Sequence, residues 1–221
     1  MEYFTPAFVS FFRDLSNNNT STWFDANRKT YEAQVKKPFE LFVQEMIIRI
    51  AKLEPEVDIA AKDAIFRINK DIRFSKDKSP YKTHVAANIS KYGRKDKAYP
   101  GFYFQLSHTG AEILGGAYQP DKDILQKIRS LIAEDLKGFQ KVIGAPVFKS
   151  HYGQILGESL KRVPEEWKAA YDRQPLIANK QFYYQATLPP SAILDKKLPG
   201  RLMEYYAASK DVNAFLRRAF A

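Results

Sequence analysis

Arg67, Asp71, Arg73, Lys76, Asp77, Lys78, Tyr81 and Lys82 fall within one run of sixteen residues, RINKDIRFSKDKSPYK. A guanidinium is a planar fork of donors that fits a phosphate or carboxylate two bonds at a time, and an ammonium adds compact charge. Tyr81 adds a hydroxyl or a stacking face. This mixture serves recognition of an anion better than acid–base catalysis. With so many cations nearby, Asp71 and Asp77 are expected to be ionised and paired, and neither suits a general acid. A structural ion network that fixes local geometry would use the same residue types. The sequence leaves the two readings open.

The basic character runs further. Arg67 to Lys97 holds ten Lys and Arg against three Asp, a local charge of +7 out of a formal +10 for the chain. A concentrated basic stretch attracts phosphate-bearing partners. Two partner classes follow: first, binding of or catalysis on a phosphate-bearing or other anionic small molecule at residues 67–82; second, nucleic acid along residues 67–97 with Tyr81, Tyr92 and Tyr99 as stacking platforms. A scaffold or interaction module without a small-ligand site is the third reading, and a solvated charged face is the plainest.

Other chemistries find no support. The chain has no cysteine, which excludes disulfides, thiolate metal sites and a cysteine nucleophile and fits a reducing compartment. His84, His108 and His151 lack paired ligand spacing, and ordinary hydrogen-bonded histidines are expected. Leu114-Gly115-Gly116-Ala117-Tyr118 matches neither phosphate-binding glycine pattern, and no GxSxG elbow occurs. No cofactor and no metal site are expected. The opening MEYFTPAFVSFFRDL lacks a basic n-region and carries Arg13 and Asp14 within its apolar run, unlike a signal peptide. No apolar run reaches the length of about 18 residues that spans a membrane. The expectation is a soluble, cytoplasmic protein without a membrane partner.

The elements that must position the basic run follow from periodicity. Phe8, Phe11, Phe12 and Leu15 have helical spacing. Thr22 reads as the N-cap of a second helix through Tyr31 and Val35, with a kink or fresh start at Pro38 and an apolar stripe from Phe39 to Ile50. From Ala64 the period becomes two. Phe66, Ile68, Ile72 and Phe74 fall on one face, and Arg67, Asn69, Asp71 and Arg73 on the other, with Lys70 interrupting the apolar set. Same-face neighbours on such a strand lie about 6.5–7 Å apart, so Arg67, Asp71 and Arg73 could converge on one anion. A turn over residues 75–80 leads to strands at 84–90, 101–108 and 111–118, an antiparallel meander. Gly115-Gly116 signals a bulge or a close backbone approach. A helix opens after Pro120-Asp121, Gly138 reads as a breaker, residues 181–188 form a further strand, and two helices end the chain at 198–208 and 211–220. The fold class is α+β: a mainly antiparallel sheet, with a meander around residues 64–118 plus a strand near 181–188, packed with N-terminal, central and C-terminal helices. With no repeat or flexible linker, one domain over residues 1–221 is expected.

Three stretches carry a resemblance: FFRDLSNNNTSTWFDANRKTY, RINKDIRFSKDKSPYKTH, and PGFYFQLSHTGAEILGGAYQP leading into a helix with Ile128 and Arg129. Over nearly the whole chain these are similar to the domain of unknown function 2461 family, uncharacterised proteins of bacteria and some fungi. The resemblance implies one α+β domain and no established activity, and it assigns no functional residue.

Overall fold

A computed structural model describes residues 2–221. Its fold is α+β. It combines helices with a four-stranded antiparallel sheet of β1 (His84–Ile89), β2 (Gly101–Ser107), β3 (Gly110–Ala117) and β4 (Phe182–Leu188), in the order β1-β2-β3-β4. The chain divides into two compact units. The first holds residues up to Arg94, Tyr103–Ile113 and Thr187–Met203; the second holds Lys95–Phe102, Leu114–Ala186 and Glu204–Ala221.

In the first unit the helix Pro6–Asn17 buries Phe8, Phe11, Phe12 and Leu15, the set that its spacing selects. The next cap is Thr20, not Thr22: the Thr20 hydroxyl accepts the Trp23 N–H at 3.2 Å. Asn27 then donates its side-chain amide back to the Trp23 carbonyl at 2.9 Å, which ends that turn. The single helix expected up to Val35 is therefore three pieces, Ser21–Ala26, Arg28–Tyr31 and a wide π turn at Glu32–Lys36. A longer helix, Lys37–Ala51, starts beside Pro38, as the proline requires, and buries Phe39, Phe42, Val43, Met46, Ile47 and Ile50. Edge-to-face rings fill this core. Phe8 and Phe12 stand 5.2 Å apart, and Phe42 meets Phe104 of β2 at 5.6 Å.

In the second unit Asp121 caps the helix Lys122–Glu134 by accepting the Ile124 N–H at 2.8 Å. Gly138, expected to break structure, lies inside the helix Leu136–Gly144. The break is at Asp135, whose carboxylate accepts the Gly138 N–H at 3.1 Å. The two helices expected at the C-terminus are one, Leu198–Arg217. Ser209, in the gap between the two expected helices, is buried and turns its hydroxyl onto the Tyr205 and Tyr206 carbonyls, so the helix runs through. Among the described residues no helix is long and apolar enough to cross a membrane.

Candidate functional site

The basic run lies in the first unit and is not a regular strand. A short helix, Ala61–Ala64, precedes it, and the segment then touches its partner at two isolated antiparallel bridges, Ile65 with Ala87 and Asn69 with Tyr81. Between the bridges one side advances four residues and the other retreats six. The two extra residues break the ladder opposite Arg67, a bulge-like slip of register. Its consequence is visible in Lys82, whose ammonium donates to the Arg67 carbonyl at 3.0 Å and so satisfies a group that the broken ladder cannot. Beyond the slip, Lys70 donates its N–H to the Pro80 carbonyl at 2.9 Å and Lys82 its own to the Ile68 carbonyl at 2.8 Å. These bonds close the neck of a surface loop over residues 71–79, an arrangement typical of compact functional loops.

The two acids of the run are already engaged. Asp71 and Arg73 form a forked pair, Nε to Oδ1 at 2.9 Å and Nη2 to Oδ2 at 2.7 Å. These bonds, with the Arg73 N–H, hold the Asp71 carboxyl down at about 2. Asp77 accepts the Lys70 ammonium at 2.6 Å and the Ser79 N–H at 2.9 Å, and the Lys70 bond above all keeps its carboxyl far below the usual range. Lys78 donates to the Ile72 carbonyl at 3.0 Å. Arg67 and Lys76 are exposed and have no ion pair among the described residues. Arg67, Asp71 and Arg73 thus do not share one face of a strand. Arg73 has closed on Asp71, and Lys70, outside the candidate set, has closed on Asp77.

The aromatics are also placed differently from expectation. Tyr81 is buried, its ring stacked on Phe24 at 4.0 Å and 15°. Its backbone is clasped by Asn19, whose amide donates to the Tyr81 carbonyl at 2.9 Å and accepts the Tyr81 N–H at 3.1 Å. Tyr81 is therefore an anchor for the loop and offers no stacking face. Tyr99 is buried in the second unit. Of the three tyrosines only Tyr92 is open, at 47% exposure. The residue that sequence reasoning missed is Phe74. Expected on the core face of a strand, it is 96% exposed on the loop, with the Arg73 guanidinium 5.8 Å from its ring centre.

His84 opens β1 just beyond this neck. Burial first, then the charges of Lys82 and Lys70, push its imidazole down to about 4, against about 6.5 in an unfolded chain. On acidification the unfolded chain takes up this proton first. The contribution is complete above about pH 6.5 and is lost as the pH falls towards 4, on the order of 3 kcal/mol in all. Urea unfolding at a series of pH values checks this. His84→Gln should flatten the slope between pH 6.5 and 4 relative to wild type, and equal slopes would refute it. Asp71, depressed to about 2, acts in a separate window below its unfolded value near 4.

Among the described residues no group of three or more His, Cys, Asp or Glu is placed to hold a metal ion. A family model described as Conserved hypothetical protein (DUF2461) matches residues 7–215, the family that the sequence motifs resemble. No curated protein matches the chain.

Proposed function

We propose that this chain, which belongs to the DUF2461 family of conserved hypothetical proteins, binds single-stranded nucleic acid on the open basic surface of residues 67–94. One observation carries the reading: a fully exposed Phe74 beside cations that outnumber the acids, where both acids are already paired. An exposed aromatic ring costs solvation and suits a base that can stack on it. Exposed cations spread along a surface loop suit a chain of phosphates, each met separately. Arg67, Lys76 and Lys78 supply phosphate contacts, and Phe74 and Tyr92 supply stacking faces. Lys82, Tyr81, Asp71 and Asp77 shape the loop.

The second reading is a phosphorylated small molecule held at residues 67–82. The ammonium groups of Lys82 and Lys70, whose charge adds to burial in depressing His84, favour it. The two readings separate in one experiment, fluorescence anisotropy with labelled single-stranded DNA and RNA of about 20 nucleotides. Affinity should fall with salt along a log–log slope near −0.7 per phosphate contact. Phe74→Ala should weaken binding by roughly 5- to 100-fold at an unchanged slope, the value of one stacked base. Lys76→Ala should reduce the slope by about 0.7. No binding at low salt, or an unchanged affinity for Phe74→Ala, overturns the proposal, as does binding to phosphatidylglycerol vesicles without binding to either oligonucleotide. Saturable displacement by pyrophosphate beyond its effect as a salt would favour the small-molecule reading instead.

A further inference from the structure

The second unit carries an open groove of about 440 Å³ lined by Tyr118, Gln119, Gly157, Glu158, Gln181 and Tyr183, a size common for small-molecule sites. Backbone pairing builds its wall. Leu156 and Tyr183 exchange N–H to carbonyl bonds at 2.6 and 3.2 Å, and Lys180 donates its N–H to the Glu158 carbonyl at 2.7 Å. The Glu158 N–H donates to Gln181 Oε1 at 2.9 Å. Gly157 packs so closely that a Cβ there would stand 2.1 Å from the Gln181 carbonyl oxygen. The groove is therefore shaped by strand-like backbone and not by loose side chains, a preorganised arrangement.

Its chemistry is that of hydroxyl recognition. The rings of Tyr118 and Tyr183 meet edge to face, 5.3 Å apart at 86°, and Tyr118 is half-exposed. The Tyr118 and Tyr183 hydroxyls and the Gln119 carboxamide have no hydrogen-bond partner among the described residues. Gln181 uses its oxygen on the wall and keeps its NH2 group as a donor. Charge narrows the class. The lining holds no cation for a phosphate, and its one carboxylate, Glu158, already faces the Lys180 ammonium at 3.4 Å. An anionic ligand finds no cation in the lining, the nearby Lys180 ammonium being already engaged by Glu158, and a cationic ligand meets a carboxylate already balanced.

We infer that this groove binds a neutral carbohydrate. A tyrosine face takes the apolar C–H face of a pyranose ring, and phenols and carboxamides, which both donate and accept, match hydroxyls, which do the same. The test is nuclear magnetic resonance on the nitrogen-15-labelled full chain with cellotetraose, maltotetraose and chitotetraose, each titrated to about 10 mM, which reaches millimolar dissociation constants. At least one should shift the Gly157 and Glu158 amide signals saturably. Tyr118→Ala and Gln119→Ala, both at the rim, should each weaken that binding about tenfold while the rest of the spectrum stays folded. The inference is overturned if no saccharide gives a saturable shift, if both variants keep wild-type affinity, or if tetramethylammonium or inorganic phosphate moves these amides where the saccharides do not. The nucleic-acid reading concerns the first unit, so the two can fail separately.

Discussion

Arg129→Met is expected to destabilise the second unit by about 3 kcal/mol. Arg129 lies on the helix Lys122–Glu134 but faces inward, only 7% exposed, among Ile128, Leu131 and Ile132. Its Nε donates to the Ile177 carbonyl at 3.0 Å and its Nη2 to the Asn179 carbonyl at 3.0 Å. Those carbonyls end a 3₁₀ turn, Pro175–Ala178, where a helical segment leaves its acceptors unpaired. Burial pushes the guanidinium below its usual value, yet it stays charged at neutral pH. Hydrogen bonds to charged groups contribute about 1.5–3 kcal/mol, and a buried acceptor left without a donor costs about 1–3 kcal/mol. Two such bonds are lost together, and removing the buried charge offsets part of the sum, which leaves a net loss of about 3 kcal/mol. Arg129→Lys should cost less than Arg129→Met but remain destabilising, since a single ammonium does not reproduce a fork across two carbonyls. Urea unfolding followed together with amide exchange at residues 177–180 reads both effects. A loss below about 1 kcal/mol for Arg129→Met would show that water replaces the guanidinium freely.

Arg129 also shows where sequence reading reaches and stops. Its Ile-Arg pair was legible as a motif, but its burial was not: the apolar stripe of its helix predicts a polar residue there to face solvent. What satisfies it comes from backbone some fifty residues later, and carbonyl groups carry no signature in a sequence. Strands are legible in the sequence where one face is apolar. Phe102, Phe104 and Leu106 of β2 are buried as period two requires, and so are Phe182, Tyr184 and Leu188 of β4, while Ala186 on the same face is only half-buried. In β1 the same pattern conceals that both faces are covered, since Ala86 and Asn88 are buried beside Val85, Ala87 and Ile89.

The basic run departs from a strand for a definite reason. Its alternation is real up to Ile68, but a ladder depends on register as well as period. The two-residue slip between Ile65–Ala87 and Asn69–Tyr81 is set by the partner segment, not by the run itself. Once the ladder ends, Ile72 and Phe74 lose the face they were assigned to, and Phe74 emerges into solvent. The interruption at Lys70 was the one available signal. A lysine on the apolar face marks where that face stops being apolar, and Lys70 does turn away to Asp77 and Ser79. Composition predicts that Asp71 and Asp77 are paired. Which cation takes which acid depended on loop geometry, and so did the use of Lys78 and Lys82 on backbone carbonyls.

Gly116→Ala is expected to be strongly damaging, costing about 4 kcal/mol or more. The Gly115-Gly116 pair reads as a bulge or a close backbone approach, and the approach is what is found. Gly116 has φ +87, and a Cβ built there stands 2.2 Å from the Phe182 carbonyl oxygen and 3.0 Å from the Tyr183 Cα. Two costs combine. A side chain in the left-handed region is strained by about 1–3 kcal/mol. The clash is with backbone of β4, not with a flexible side-chain end, so relief requires β3 and β4 to part and give up ladder bonds worth about 1 kcal/mol each. Gly200→Ala is the contrast. Gly200 lies in the helix Leu198–Arg217 with nothing within 4 Å of an added Cβ, and alanine there should stabilise by about 0.5–1 kcal/mol through the unfolded chain and helix propensity. Thermal unfolding of the two variants against wild type should therefore move in opposite directions. If Gly116→Ala melts within a few degrees of wild type, β3 and β4 do not approach as closely as the two glycines require.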